Sequence, residues 1–100
     1  MQSRRMKLDE ILRGICPNVY FNPPESIKMT YPCIIYKRSV GNTAHADNSP
    51  YIVKFNYQIT ILDKDPDSKL IKPVAMIPGC RYDRHYKADK INHDVFDIYF

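Results

Sequence analysis

Apolar and polar residues alternate most cleanly in residues 51–63, YIVKFNYQITILD. Tyr51, Val53, Phe55, Tyr57, Ile59 and Ile61 fall on one side of this stretch. The other side carries Ile52, Lys54, Asn56, Gln58, Thr60 and Leu62, and is polar in its middle. Side chains alternate across a pleated strand, so a period of two predicts a long strand with one buried face and one wet face. The β-branched and aromatic content agrees with that period. Asn48-Ser49-Pro50 precedes the strand, and the charge and proline of DKDPD end it.

The period changes at the start of the chain. Leu8, Ile11, Leu12 and Ile15 are spaced i, i+3, i+4 and i+7, which predicts an amphipathic helix over residues 3–15 with Ser3 as N-cap. Asp9 and Arg13 are four apart with the acid first, the better orientation for a helical ion pair. Pro17 ends the helix no later than Cys16. Val19, Tyr20 and Phe21 form a short strand closed by Asn22-Pro23-Pro24, where two prolines forbid ladder donation. Residues 33–38, CIIYKR, read as a second strand whose first half is apolar on both faces, so the sheet should be partly covered on both sides. Residues 41–50, GNTAHADNSP, are the most loop-like segment, long for a hairpin connection and therefore the first candidate contact surface.

Residues 66–77 read as a second helix on the spacing of Leu70, Val74 and Ile77, capped by Asp65 or Asp67 and kinked at Pro73. Pro78-Gly79 ends it. Residues 80–86 then alternate Cys80, Tyr82, Arg84 and Tyr86 against Arg81, Asp83 and His85. A turn at residues 87–90 leads into a last strand over residues 91–100. The expected order is α-β-β-β-α-β-β, an α+β class with a mostly antiparallel sheet flanked by two helices.

Composition narrows this picture. One hundred residues suffice for one domain, residues 1–100, with one core. No apolar run approaches the roughly 18 residues of a membrane span, and the start lacks the pattern of a secretory signal. The expectation is a protein made inside a cell, or used in a particle assembled there. Cys16, Cys33 and Cys80 are odd in number and lack a CxxC pairing, which fits reduced, packed thiols. The net charge of +4 is a mild and interspersed basic excess.

Chemistry-bearing residues are few. Asp83, His85, His93, Asp94 and Asp97, with Cys80 nearby, are the only cluster in which imidazole and carboxylate could hold a metal. Its spacing matches no metal motif, so hydrogen bonding at a surface or interface is the better account. No phosphate-cradling glycine loop and no supported nucleophile pair occurs, so the chain is read as non-enzymatic with no cofactor. Arg81, Tyr82, Arg84, Tyr86 and Lys87 interleave basic and aromatic residues, a pattern that can stack bases and hold phosphate. The plainer account packs the tyrosines on the core and leaves the cations in solvent.

The segments MTYPCIIYKRS, HADNSPY, DKDPDS, GCRYDRHYKAD and INHDVFDIYF, taken in order, resemble a family of tail completion or tail terminator proteins of long-tailed bacteriophages. The resemblance extends from Ile11 to Phe100 and implies a fold similar in class to the lambda-type tail terminator. It implies a structural virion protein, assembled in the host cytoplasm, that forms a ring of identical copies, typically a hexamer, at the head-proximal end of the tail tube. Such a ring stops tube polymerisation and docks to a head–tail connector or stopper protein, with DNA passing through its lumen unspecifically and no membrane involved. A closed ring needs a heterologous interface, one patch of each copy binding a different patch of its neighbour. The interaction candidates are His45, Asp47 and Asn48 in the loop, and Arg81, Arg84, His85 and Lys87 near the C-terminus. The alternatives left open are a head-side connector or stopper, a small nucleic-acid-binding protein, and a His/Asp metal hydrolase.

Overall fold

The computed structural model describes residues 4–24, 28–39 and 55–100. Helix α1 (Arg4–Ile15) is followed by strands β1 (Val19–Phe21), β2 (Cys33–Arg38) and β3 (Asn56–Asp63). Helix α2 (Ile71–Ala75), β4 (Cys80–Ala88) and β5 (Ile91–Tyr99) complete the chain. The architecture is α+β, in the element order expected. All five strands join one sheet in the spatial order β1-β2-β3-β5-β4. β1 runs parallel to β2, and every other pair is antiparallel. The loop at 41–50, with His45, Asp47 and Asn48, the Ser3 cap and the beginning of the long strand, 51–54, lie outside the described residues.

β3 lies at the centre of the sheet, with Ile34 and Asp94 flanking Ile61 and with Tyr36 and Phe96 flanking Ile59. Tyr57, Ile59 and Ile61 are fully buried with Leu8 and Leu12 of α1, Val74 of α2, and Phe96 and Ile98 of β5. This helix-covered side is the main core. The opposite face of β3 is not simply wet, which corrects the one-sided reading: Thr60 and Leu62 are buried there. Leu62 forms a second cluster with Cys33 and Ile91, against which Tyr20, Met29 and Ile35 pack. The double-sided apolar start of β2 thus reflects cover on the second face of the sheet, where Cys33, Leu62 and Ile91 cluster.

Helix α1 is rotated relative to the stripe read from spacing. Leu8 and Leu12 are buried, but Ile11 is exposed, and Cys16 just beyond the helix completes the buried line. The rotation brings polar residues onto the sheet. Tyr36 Oη donates to Asp9 Oδ2 at 2.5 Å, Arg5 donates to Tyr36 Oη at 3.3 Å, and Arg13 pairs with the same Asp9. Arg5 also lies over the Phe21 ring at 4.6 Å. Satisfying a buried phenol and a carboxylate outweighs burying one more isoleucine edge.

That network has a pH signature. Burial pushes the Asp9 carboxyl up, but the bonds from Tyr36 and Arg13 and the charges of Arg13 and Arg5 hold it below its ordinary value. A depressed folded-state value means stability that is present above the unfolded value of about 4 and is lost as pH falls through the folded one. Tyr36→Phe should therefore lower unfolding free energy by about 1–3 kcal/mol at neutral pH. The deficit should narrow as denaturation is repeated at progressively more acid pH below about 4. A deficit that stays constant through acid would mean the bond to ionised Asp9 contributes nothing.

Helix α2 is much shorter than the predicted 66–77. Asp63 and Asp65 use their carboxylates to accept the backbone N–H groups of Asp65 and Asp67, holding that segment in successive turns. Neither Asp65 nor Asp67 caps the helix: the N-cap position is Leu70, without a side-chain cap bond, and Ser68 Oγ accepts from Leu70 N at 3.2 Å just before it. Pro73 falls in the first turn, where an N–H has no intrahelical partner, so it produces no kink.

Two turns set up the C-terminal hairpin. Pro78-Gly79 forms a type II turn: Cys80 N donates to Ile77 O at 3.0 Å and Gly79 has φ +83°. A Cβ there would also meet Tyr99 O at 3.0 Å. Asp89 and Lys90 have φ +51° and +66°, the mirror-image turn that matches strand twist in a two-residue hairpin. Lysine in the left-handed region is strained, so Lys90→Gly should stabilise the protein by about 0.5–1 kcal/mol, read as a higher melting temperature.

Candidate functional site

Strand β4 is the exposed edge of the sheet. From Arg81 to Ala88 every residue is exposed, on both faces of the strand, because neither helix reaches across β5 to cover it. Its partner β5 is by contrast mostly buried between β3 and β4. A two-residue loop makes Ala88 and Ile91 a hydrogen-bonded pair, so Tyr86 and Arg84 also turn their amides towards β5. By the same alternation Lys87, His85 and Tyr82 present N–H and C=O outward, away from the sheet. These unpaired groups are a template for another strand.

A bulge changes which side chains share a face. The register shifts between Tyr82 and Arg84, leaving Asp83 as the extra residue. Arg84 and Tyr86 thereby move from the side of Cys80 and Tyr82 to that of Arg81, which corrects the simple alternation read from sequence. Arg81 faces Asp97 across the hairpin, and Arg84 pairs with Asp83 at 2.7 Å. On the other face Tyr82 stacks edge-on against Phe96 at 5.1 Å and donates to Asp94 Oδ1 at 3.0 Å. Burial pushes the Tyr82 phenol up, reinforced by that bond and the Asp94 charge.

His85 and His93 do not converge. His85 Nε2 lies 3.1 Å from Asn92 Oδ1, whose amide in turn donates to Lys64 O at 3.1 Å, tying the hairpin to the turn after β3. His93 lies on the opposite face, stacked on Tyr86 with ring centroids 4.5 Å apart. Among the described residues no group of three or more His, Cys, Asp or Glu side chains is placed to hold a metal ion. Cys33 and Cys80 are pushed up to about 12 and about 11, chiefly by burial, so both are neutral, poorly nucleophilic thiols. No helix among the described residues is long and apolar enough to cross a membrane.

Of the seven interaction candidates, Arg81, Arg84, His85 and Lys87 lie together on β4. His45, Asp47 and Asn48 fall outside the described residues. The structure adds a groove of about 340 Å³ on the face of the sheet away from the helices. Lys37, Gln58, Thr60, Tyr86 and His93 supply its polar lining, and sequence reading singled out none of them as a group. The signal available was the run of polar residues at alternate positions of β3. No family model, no curated protein and no solved structure matches the chain.

Proposed function

We propose that this protein is a structural virion component that closes into a ring at the head-proximal end of a phage tail tube. There it ends tube growth and joins tail to head. The observation that carries this reading is the β4 edge: nine residues long, exposed on both faces from Arg81 to Ala88, and offering outward backbone groups. A ring requires two different patches on each copy, and the edge supplies one of them. Arg81, Asp83, Arg84 and Lys87 along it are charges that disfavour indiscriminate strand pairing, so only a partner with matching charge order would dock. The ordered set of tail-terminator-like segments supports the same reading. It includes GCRYDRHYKAD, which spans β4, and INHDVFDIYF, which spans β5.

Light scattering at low and high protein concentration tests it. A discrete ring-sized species, or a mass that rises towards one, is expected, and the same species should cap isolated tail tubes in micrographs. A strict monomer that also fails to bind tubes would overturn the reading, and binding to filled heads alone would assign the protein to the head side of the neck.

One observation favours a second reading, a nucleic-acid-binding protein: the bulge gathers Arg81, Arg84 and Tyr86 on one face. Against it, one side of the Tyr86 ring is already occupied by His93, and Arg84 lies 5.8 Å from the ring centroid. A base would have to displace these contacts to stack. Binding to DNA that falls steeply with salt, and vanishes on charge reversal of Arg81, Arg84 and Lys87, would favour this second reading.

A further inference from the structure

The groove on the helix-free face lies across β2, β3 and β5. Its floor is Ile35 and Lys37 of β2 with Thr60 and Leu62 of β3. Pro23 and Met29 form one wall, and the stacked Tyr86–His93 pair forms the other. The depression arises because Thr60, a small side chain, sits mid-sheet between Ile35 and Val95 while bulkier groups rise at both rims. Its volume falls within the range of small-molecule sites.

The lining is divided by polarity. Ile35, Leu62, Met29 and Pro23 make one part apolar, whereas Lys37, Gln58, Thr60 and His93 supply polar groups. Thr60 is 7% exposed and lines the middle of the groove. His93 is rigidly placed: Nδ1 lies 3.0 Å from Ile91 O, a group that only accepts, so Nδ1 carries the hydrogen and Nε2 is the ring's free nitrogen. None of the described residues lining the groove is acidic, and Lys37 has no ion-pair partner among the described residues. An ammonium with no counter-charge among the described residues, at the rim of a partly apolar groove, favours an anion with an apolar body.

We infer that the groove is a binding site for a small organic carboxylate carrying an apolar chain. The carboxylate meets Lys37, with Thr60 and Gln58 as further donors, and the chain lies over Ile35, Leu62 and Met29. The site's assignment does not rest on ring assembly, although Tyr86 of β4 contributes to one wall. Hexanoate, with hexanamide as its neutral counterpart, tests it by amide chemical-shift titration of the full chain. Saturable changes are expected at Lys37, Thr60, Leu62 and His93, with hexanoate binding at least about fivefold tighter than hexanamide, a low value for a charge-assisted contact. Lys37→Gln should abolish that preference and leave hexanamide binding unchanged. Thr60→Val, which keeps the shape, should weaken hexanoate binding while melting close to the parent. Equal binding of acid and amide, unsaturable shifts scattered over the sheet, or an unaltered preference in Lys37→Gln would each overturn the assignment.

Discussion

Replacing Phe96 by alanine should lower the unfolding free energy by about 3–5 kcal/mol, a large share of the 5–15 kcal/mol typical of a small protein. Phe96 is fully buried in the main core, opposite Ile59 on the central strand. On its other flank it carries the edge-on contact with Tyr82, so its removal opens a cavity beneath the β4–β5 hairpin. The helices on that face are short or rest on few residues: α2 contributes a single fully buried valine, Val74. β5 itself is held by ladders to both β3 and β4, so the sheet has little freedom to collapse into the void, which puts the loss towards the upper part of the range. Urea denaturation of Phe96→Ala and of Phe96→Leu checks this, with the leucine variant recovering more than half of the loss. Equal losses for the two variants would show that the aromatic contact with Tyr82, and not filled volume, is what the site requires.

The second large effect concerns assembly and leaves the fold intact. Lys87 presents its N–H outward from β4, and its exposed side chain extends from an edge position. Proline is tolerated where an edge strand's N–H faces away from the sheet, because no ladder bond inside the sheet is lost. Lys87→Pro should therefore keep a cooperative unfolding transition while deleting a donor at the outer edge and obstructing an incoming strand. Under the proposed ring assembly, light scattering should find the variant monomeric at concentrations where the parent assembles, with Lys87→Ala still assembling. If Lys87→Pro assembles like the parent, the β4 edge is not the subunit interface, and the proposed ring would have to close through other surfaces. If Lys87→Ala also fails, the lysine charge and not the backbone edge is what the neighbour reads.

Both predictions depend on neighbours in space more than on neighbours in sequence. The elements themselves were legible locally. The period-two pattern of residues 51–63 predicts the strand whose described part holds β3, the stripe of Leu8, Ile11, Leu12 and Ile15 predicts α1, and the turn read at residues 87–90 predicts the hairpin, which turns at Asp89 and Lys90. Each depends on repeat distance and on φ preferences that neighbouring residues carry with them. Local reading likewise placed Arg81, Arg84 and His85 in one strand, whereas Lys87, read as the start of the turn, lies within β4.

What needed the tertiary structure was every question of which side a residue faces. Ile11 turned outward because Asp9 and Arg5 could satisfy Tyr36, a residue 27 positions from Asp9 in sequence. The predicted helix over residues 66–77 shrank to five residues because Asp63 and Asp65 captured backbone amides into turns, leaving Pro73 a place in a first turn. One extra residue at Asp83 moved Arg84 across the sheet, and hydropathy carries no record of a bulge. The groove existed in sequence only as polar residues scattered through four segments. It became a site when strand order brought Lys37, Thr60 and His93 together across β2, β3 and β5. Sequence by itself determined the elements, their order and the α+β class, because propensity and periodicity act over a few residues. Tertiary structure alone decided burial, facing and site, because those are set by which distant groups can satisfy one another.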